Sequence, residues 1–227
     1  VAWRDWFLRA IAGSPDDLQI MYGVSCDRRL TEIELPWLAG YEGSRPVRTG
    51  NGACGQLPLD VYGEVIDALY HARLRGIPAS PHAWRLAPKL LDWLESGWRE
   101  PDEGLWEVRG PRRHFTHSKV MAWVAFDRAV KSVEELGRPG PVDGWRRTRE
   151  EIHREVCRDG FDTERDAFVQ SYGSDRLDAS LLLIPLVGFL PATDERLAGA
   201  IDAIRRGLTR DGPVERYRAD HENVDGH

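Results

Sequence analysis

The sequence predicts an all-α fold of stacked helical hairpins, an (α/α)-barrel or an arc of one. Three observations carry this expectation. Seven stretches show the helical apolar period between breakers, and no strand-rich region competes with them. The stretches alternate between amphipathic and apolar all round. The connections between them alternate between long and short.

The first helix is expected over about 2–13, with Trp3, Trp6, Phe7, Ala10 and Ile11 on one face. The second covers about 54–75 and carries Leu57, Val61, Val65, Ile66 and Leu69, with Pro58 able to shift its start. The third, about 81–99, opens on Ser80 as N-cap and Pro81 in the first turn. Its stripe is Trp84, Ala87, Leu91, Leu94 and Trp98, and Pro88 should kink it. The fourth, about 115–137, contains the run Val120 to Phe126, which has no polar face. The fifth, about 143–158, sets Trp145, Ile152 and Val156 on a surface otherwise rich in Arg and Glu. The sixth, about 177–190, contains the apolar run Leu181 to Val187. The seventh, about 194–208, has the stripe Leu197, Ile201, Ile204 and Leu208. Leu18–Val24 and Pro213–Arg218 are candidates for short strands.

A helix without a polar face must be covered on all sides, so the fourth and sixth belong to an inner layer. Connections from an amphipathic helix to a buried one run to about 40, 15 and 18 residues, whereas the return connections take about 3–5. Short loops at one end and long loops at the other describe helical hairpins with an inner and an outer layer. An ordinary bundle or a solenoid is the competing architecture, and the absence of sequence self-similarity counts against a regular solenoid. All three long loops then lie at the N-termini of the inner helices, where helix dipoles present positive ends. The site is expected there.

Composition narrows the function. The chain has 227 residues, a formal net charge of −6 and a pI near 5.7. The acidic balance argues against a general nucleic-acid binder, and no run approaches the roughly 20 apolar residues of a membrane span. Cys26, Cys54 and Cys157 form neither a disulfide framework nor a zinc pattern, which fits a cytoplasmic location. The chain opens on Val1 without an initiator Met, so its first residue reads as an internal point of a longer protein.

Two long loops carry candidate chemistry. The middle one, Pro101 to Gly110, holds Asp102, Glu103 and Glu107, with Trp106 directly before Glu107. An acid against an indole face is partly desolvated, which raises its pKa and suits it to donate a proton to a leaving oxygen. The indole itself is a stacking platform for a sugar ring. The plain alternative is that Glu107 pairs within the loop with Arg109, Arg112 or Arg113. The first loop, Leu35 to Gly52, is dense in aromatic, Gly, Arg and Asn residues, which suits a hydroxyl-rich ligand. A self-packed Ω-loop is its alternative. His114 and His117 are three apart with no further His or Cys to complete a metal site, so they read as pocket wall or helix start. Ser118 lacks a nucleophile elbow.

These segments resemble glycoside hydrolase family 15, the family of glucoamylases, glucodextranases and bacterial or archaeal trehalases. The resemblance rests on Leu105 to Gly110 continued by Arg113 to Arg128, on Tyr41 to Arg48 with Gly50 and Asn51, on Asp60 to Val65, and on Phe168 to Ser174. It runs over essentially the whole chain. It implies one (α/α)6 barrel of twelve helices, of which about seven are here, with no internal domain boundary. It also implies exo-hydrolysis of an α-glucosidic bond with inversion, which uses two carboxyls about 6.5–9.5 Å apart around a water. The family's general acid is the Glu after this Trp, here Glu107. Arg216 and Tyr217 match a sugar-binding pair, and Arg45, Arg48 and Asn51 match the wall of the glucose site. With Trp37, Tyr41, Trp106, Arg109, His114 and Tyr172 these make up the candidate substrate-binding set.

The family's general base lies beyond His227, and its Trp-Leu-Arg-Asp segment lies upstream of Val1. The 227 residues alone are therefore expected to be inactive. The implied substrate is an α-glucoside or oligosaccharide, with no metal or organic cofactor, no nucleic acid and no membrane. Trehalose, malto- and isomalto-oligosaccharides are not separated at this level, nor is the oligomeric state. A non-catalytic carbohydrate-binding fragment, or a phosphorylase or lyase on the same fold, are the rival readings.

Overall fold

A computed structural model describes residues 2–11, 15, 18–57, 59–78 and 81–218. Pro58 and the Ser80 cap lie outside the described residues, as do the side chains of Trp3 and Pro81. By its internal contacts the chain divides into two compact units, Val1–Pro58 and Leu59–His227.

The first unit holds α1 (Ala2–Ala10) and a short antiparallel pair, β1 (Ile33–Glu34) with β2 (Arg48–Thr49). Ala10 and Ile11 are buried, and the Trp6 indole donates to the Val24 carbonyl at 2.7 Å. The expected strand over Leu18–Val24 does not form. Gly23 and Asp27 close a tight turn on each other there, with Cys26 at φ 69°.

The second unit holds the helical hairpins. α2 (Leu59–Leu74), α3 (Pro81–Gly97), α4 (Thr116–Glu134), α5 (Val142–Asp159) and α7 (Glu195–Leu208) fall where the apolar period places helices. α4 packs between α2 and α5. Its residues from Thr116 through Val130 are all buried, as its missing polar face requires. α2 meets it through Gly63, where an added Cβ would stand 2.2 Å from the Met121 carbonyl oxygen. α2 and α3 are joined by Tyr62 stacked on Trp93, centroids 4.7 Å apart. α3 carries Pro88 within it and buries Ala87, Leu90, Leu91 and Leu94, and Trp98 directly after it is buried as well. α5 is the amphipathic partner, burying Trp145, Thr148, Ile152 and Val156.

The sixth helix departs from expectation. A 3₁₀ turn, Ala179–Leu182, leads into a four-residue α6 (Leu183–Leu186), with Leu186 exposed. Pro185 supplies no backbone N–H and Gly188 turns the chain at φ 78°, so the apolar run yields barely two turns. In α7 the buried stripe is Leu197, Ala200, Ile204 and Leu208, whereas Ile201 is 46% exposed. Both spacings are helical, and the face that α7 buries is turned toward Ala200, which leaves Ile201 on its exposed edge. Pro213–Arg218 forms no strand, only an isolated bridge between Thr209 and Val214. A hairpin that the sequence did not announce, β3 (Phe161–Asp162) with β4 (Ala167–Phe168), follows α5 and abuts α7. Among the described residues no helix is long and apolar enough to cross a membrane.

Candidate active site

The loop between α3 and α4 is pinned at its neck. Asp102 and Arg113 exchange backbone hydrogen bonds of 3.0 and 2.9 Å. Inside that neck Gly104, at φ 72°, opens a tight turn that ends on Glu107, whose amide donates to the Gly104 carbonyl at 3.1 Å. Glu107 itself sits at φ 54°, the left-handed region that a non-glycine residue seldom occupies. Such a conformation is kept only where its surroundings enforce it, and it clusters at functional sites. Arg112 bonds Glu103 at 2.9 Å, while Arg109 points to the exposed side of the loop.

Three other segments converge on this loop. The Thr116 amide donates to Gln170, and Phe115 bridges to Ser171. The Tyr172 amide donates to His114, and the two rings stack at 5.8 Å. The Ala179 amide donates to Arg216 at 2.8 Å, which brings the end of the described chain to the start of the 3₁₀ turn. As a result Tyr217, Val108 and Phe115 form a small apolar cluster with Trp106 against it. The Arg216 guanidinium lies 5.4 Å from the Trp106 ring and Tyr217 lies 6.4 Å from it. Trp106, Arg216 and Tyr217, separated widely in sequence, are therefore neighbours.

Beneath the loop lies a group of buried ionisable side chains. Asp60, in the first turn of α2, is 4% exposed and its pKa is raised to about 6, by burial first and then by repulsion from Glu64 and Glu107. Asp102 is fully buried and is raised to about 7, chiefly by burial and further by the Asp60 charge, while Ser118, Lys119 and the Gly104 amide pull it back. Neither Asp102 oxygen closes a well-formed hydrogen bond among the described residues. Lys119, also fully buried, is lowered to about 8 by burial against the pull of Asp102, Glu155 and Glu100. His117 is lowered to about 4 by burial, opposed by the Asp178 charge.

The residues of the first loop stand in the first unit. Trp37 and Tyr41 are exposed, and Arg45 is exposed beside them. Arg48 pairs with Glu32 and Glu34 at 3.3 and 3.0 Å. Asn51 caps a 3₁₀ turn, accepting from the Ala53 amide at 2.9 Å. Both contacts are local to that unit. Among the described residues no group of three or more His, Cys, Asp or Glu gathers to hold a metal.

Sequence reasoning missed Asp178 and the structural weight of Asp60 and Lys119. Asp178 precedes Ala179 and Ser180 and accepts from the Ser180 amide, a capping pattern that was legible. Its contact with Trp106 was not, because the two are 72 positions apart.

The chain belongs to glycosyl hydrolases family 15, whose family model matches residues 1–227. Trehalases are among its relatives. It is 43% identical to a trehalase of Mycobacterium tuberculosis over 97% of this chain and 33% of that protein. It is 46% identical to a trehalase of Mycolicibacterium smegmatis over 94% and 32%, and 40% identical to one of Thermoplasma volcanium over 89% and 33%. The chain thus spans about a third of the length of these relatives. Among solved structures, a wild-type glycosidase superposes with a TM-score of 0.64 at 23% identity, over 79% of this chain and 49% of that one. A variant glycosidase in complex with glucose gives the same figures. The fold is that of the (α/α)6 barrel, of which this chain carries part.

Proposed function

We propose that these residues belong to the single catalytic barrel of an inverting exo-acting α-glucosidase of trehalase or glucoamylase type, and that they supply its general acid. The observation that carries this reading is the placement of Glu107. It ends a turn held by Gly104, follows the indole of Trp106, and lies near the buried carboxyl of Asp60. Glu107 protonates the glycosidic oxygen as the bond to the anomeric carbon breaks. The released sugar leaves as an alcohol, and a water activated by a second carboxylate outside these residues attacks the opposite face. Trp106 keeps water off the acid, and Arg216 and Tyr217 bind sugar hydroxyls. Within the first unit Trp37, Tyr41, Arg45, Arg48 and Asn51 serve as sugar-binding residues, and within the second Arg109, His114 and Tyr172 do so. That these relatives are trehalases supports trehalose as the substrate in this reading.

The test is Glu107→Gln in the full-length protein, with turnover of trehalose, maltose and isomaltose measured. Loss of a positioned acid costs about 10²–10⁴-fold in kcat. Undiminished turnover refutes the assignment. The 227-residue chain alone, lacking the second carboxylate, releases no glucose.

A further inference from the structure

Asp178 does more than its place in the chain requires. As a cap of the 3₁₀ turn it needs one bond, and Oδ1 accepts that from the Ser180 amide at 2.8 Å. The same carboxylate also accepts from the Trp106 indole, 3.0 Å to Oδ1 and 3.1 Å to Oδ2, and from the Gln170 side-chain amide at 3.0 Å. Asp178 is 2% exposed, so these bonds are made away from water. Buried carboxylate bonds of this kind are stronger and more directional than neutral ones. Gln170 is itself 1% exposed, and the backbone of residues 169–170 accepts from Thr116 at the start of α4. The clamp on the indole is therefore anchored to the rigid inner helix.

Trp106 is covalently next to Glu107. With Glu107 fixed in the left-handed region and its amide bonded to Gly104, the turn has no slack. Holding the indole therefore holds the backbone from which the Glu107 side chain projects. The indole also lies against Arg216 and Tyr217, so its tilt sets the spacing between the acid and that pair.

We propose that Asp178 is a positioning residue for the hydrolysis: by clamping the Trp106 indole N–H it aims the Glu107 carboxyl at the glycosidic oxygen. This rests on Glu107 being the general acid. A misplacement of about 1 Å in such a group costs about 10²-fold in rate.

The experiment compares two substrates in the full-length enzyme: trehalose, whose leaving alcohol must be protonated, and α-glucosyl fluoride, whose leaving fluoride needs far less help. The variants are Asp178→Ala, Asp178→Asn and Trp106→Phe, with Glu107→Gln as the reference for a lost acid. Asp178→Ala is expected to lose about 30- to 100-fold in kcat on trehalose and less than about fivefold on the fluoride, with KM little changed. Asp178→Asn keeps an acceptor and recovers part of the loss. Trp106→Phe removes the donor while keeping a ring, and it reproduces the substrate split even if Asp178→Ala folds poorly. In the Trp106→Phe/Asp178→Ala double variant the losses do not add. Equal losses on both substrates for Asp178→Ala and Trp106→Phe, or no loss, overturn the positioning role. If Glu107→Gln shows no split, the acid assignment itself falls and this role with it. If Glu107→Gln splits and the other variants do not, only the positioning role falls.

Discussion

The ammonium of Lys119, fully buried in the first turn of α4, donates to the carbonyl of Trp98 at 2.5 Å and to that of Glu100 at 2.6 Å. These carbonyls lie just past the end of α3, where helix geometry leaves acceptors without partners. One side chain thus closes an outer helix onto an inner one and sets the entry of the acid loop. Lys119→Met keeps most of the stem volume but strands both carbonyls and the neighbouring Asp102. It should lower the unfolding free energy by about 2–4 kcal/mol, read from urea melts of the full-length protein. Stability unchanged within error contradicts this account of the buried lysine.

Asp102 should cost stability at neutral pH. Its folded pKa, raised to about 7, exceeds the ordinary 3.8 of the unfolded chain. The folded state therefore binds a proton that the unfolded state has already released between these values, and stability falls as pH rises through that window. Asp60, raised to about 6, adds a slope of the same sign. Asp102→Asn removes the first contribution and leaves the second. The variant should be more stable than the parent at pH 7.5 by roughly 1–3 kcal/mol, and the advantage should vanish near pH 4. Melting temperatures measured from pH 4 to 8 give the crossover.

His117 works in the opposite sense. Burial holds it neutral down to about pH 4, whereas an unfolded histidine takes its proton near 6.5. Stability tied to this ring is present above pH 6.5 and is lost as pH falls toward 4, by at most about 1.4 kcal/mol per unit. His117→Gln cannot protonate. Its stability should therefore fall less, or rise more, than the parent's on acidification across that window, and parallel profiles for the two proteins exclude the role.

Much of this was legible beforehand, for identifiable reasons. The run Val120 to Phe126 has no polar face, and α4 is accordingly buried on every side. The Arg- and Glu-rich stretch around Trp145 announces an outer helix because its few apolar residues keep one face. The run Leu181 to Val187 misled because apolar content measures burial, not helix length. Pro185 and Gly188 decide the length, and they leave a short α6 with Leu186 exposed. In the candidate site, the Trp106-Glu107 and Arg216-Tyr217 pairs are local patterns, legible as matches to the family's motifs. The Asp178 clamp and the proximity of Asp60 to Glu107 come from loops meeting in space, which periodicity does not encode.

The approach of α2 to α4 gives the last prediction. Helix axes draw close only where side chains are small, and Gly63 faces the backbone of Met121 rather than a side chain. A Cβ there would stand 2.2 Å from the carbonyl oxygen, 2.7 Å from the carbonyl carbon and 3.0 Å from the Cα. No rotamer change relieves a clash with backbone, so Gly63→Ala must push the two helices apart. In an exposed helix the same change would gain up to about 1 kcal/mol from helix propensity. Here the sign reverses, with a loss of about 2–4 kcal/mol. Since Asp60 rides on the first turn of α2 and lies close enough to Glu107 to feel its charge, the shift should also reach the reaction. Gly63→Ala in the full-length protein is expected to lower both the melting temperature and kcat on trehalose. Gly76→Ala, where an added Cβ meets nothing but φ is 74°, tests strain alone: it should cost about 1 kcal/mol and leave kcat intact. A Gly63→Ala protein as stable as its parent would rule out the close backbone contact.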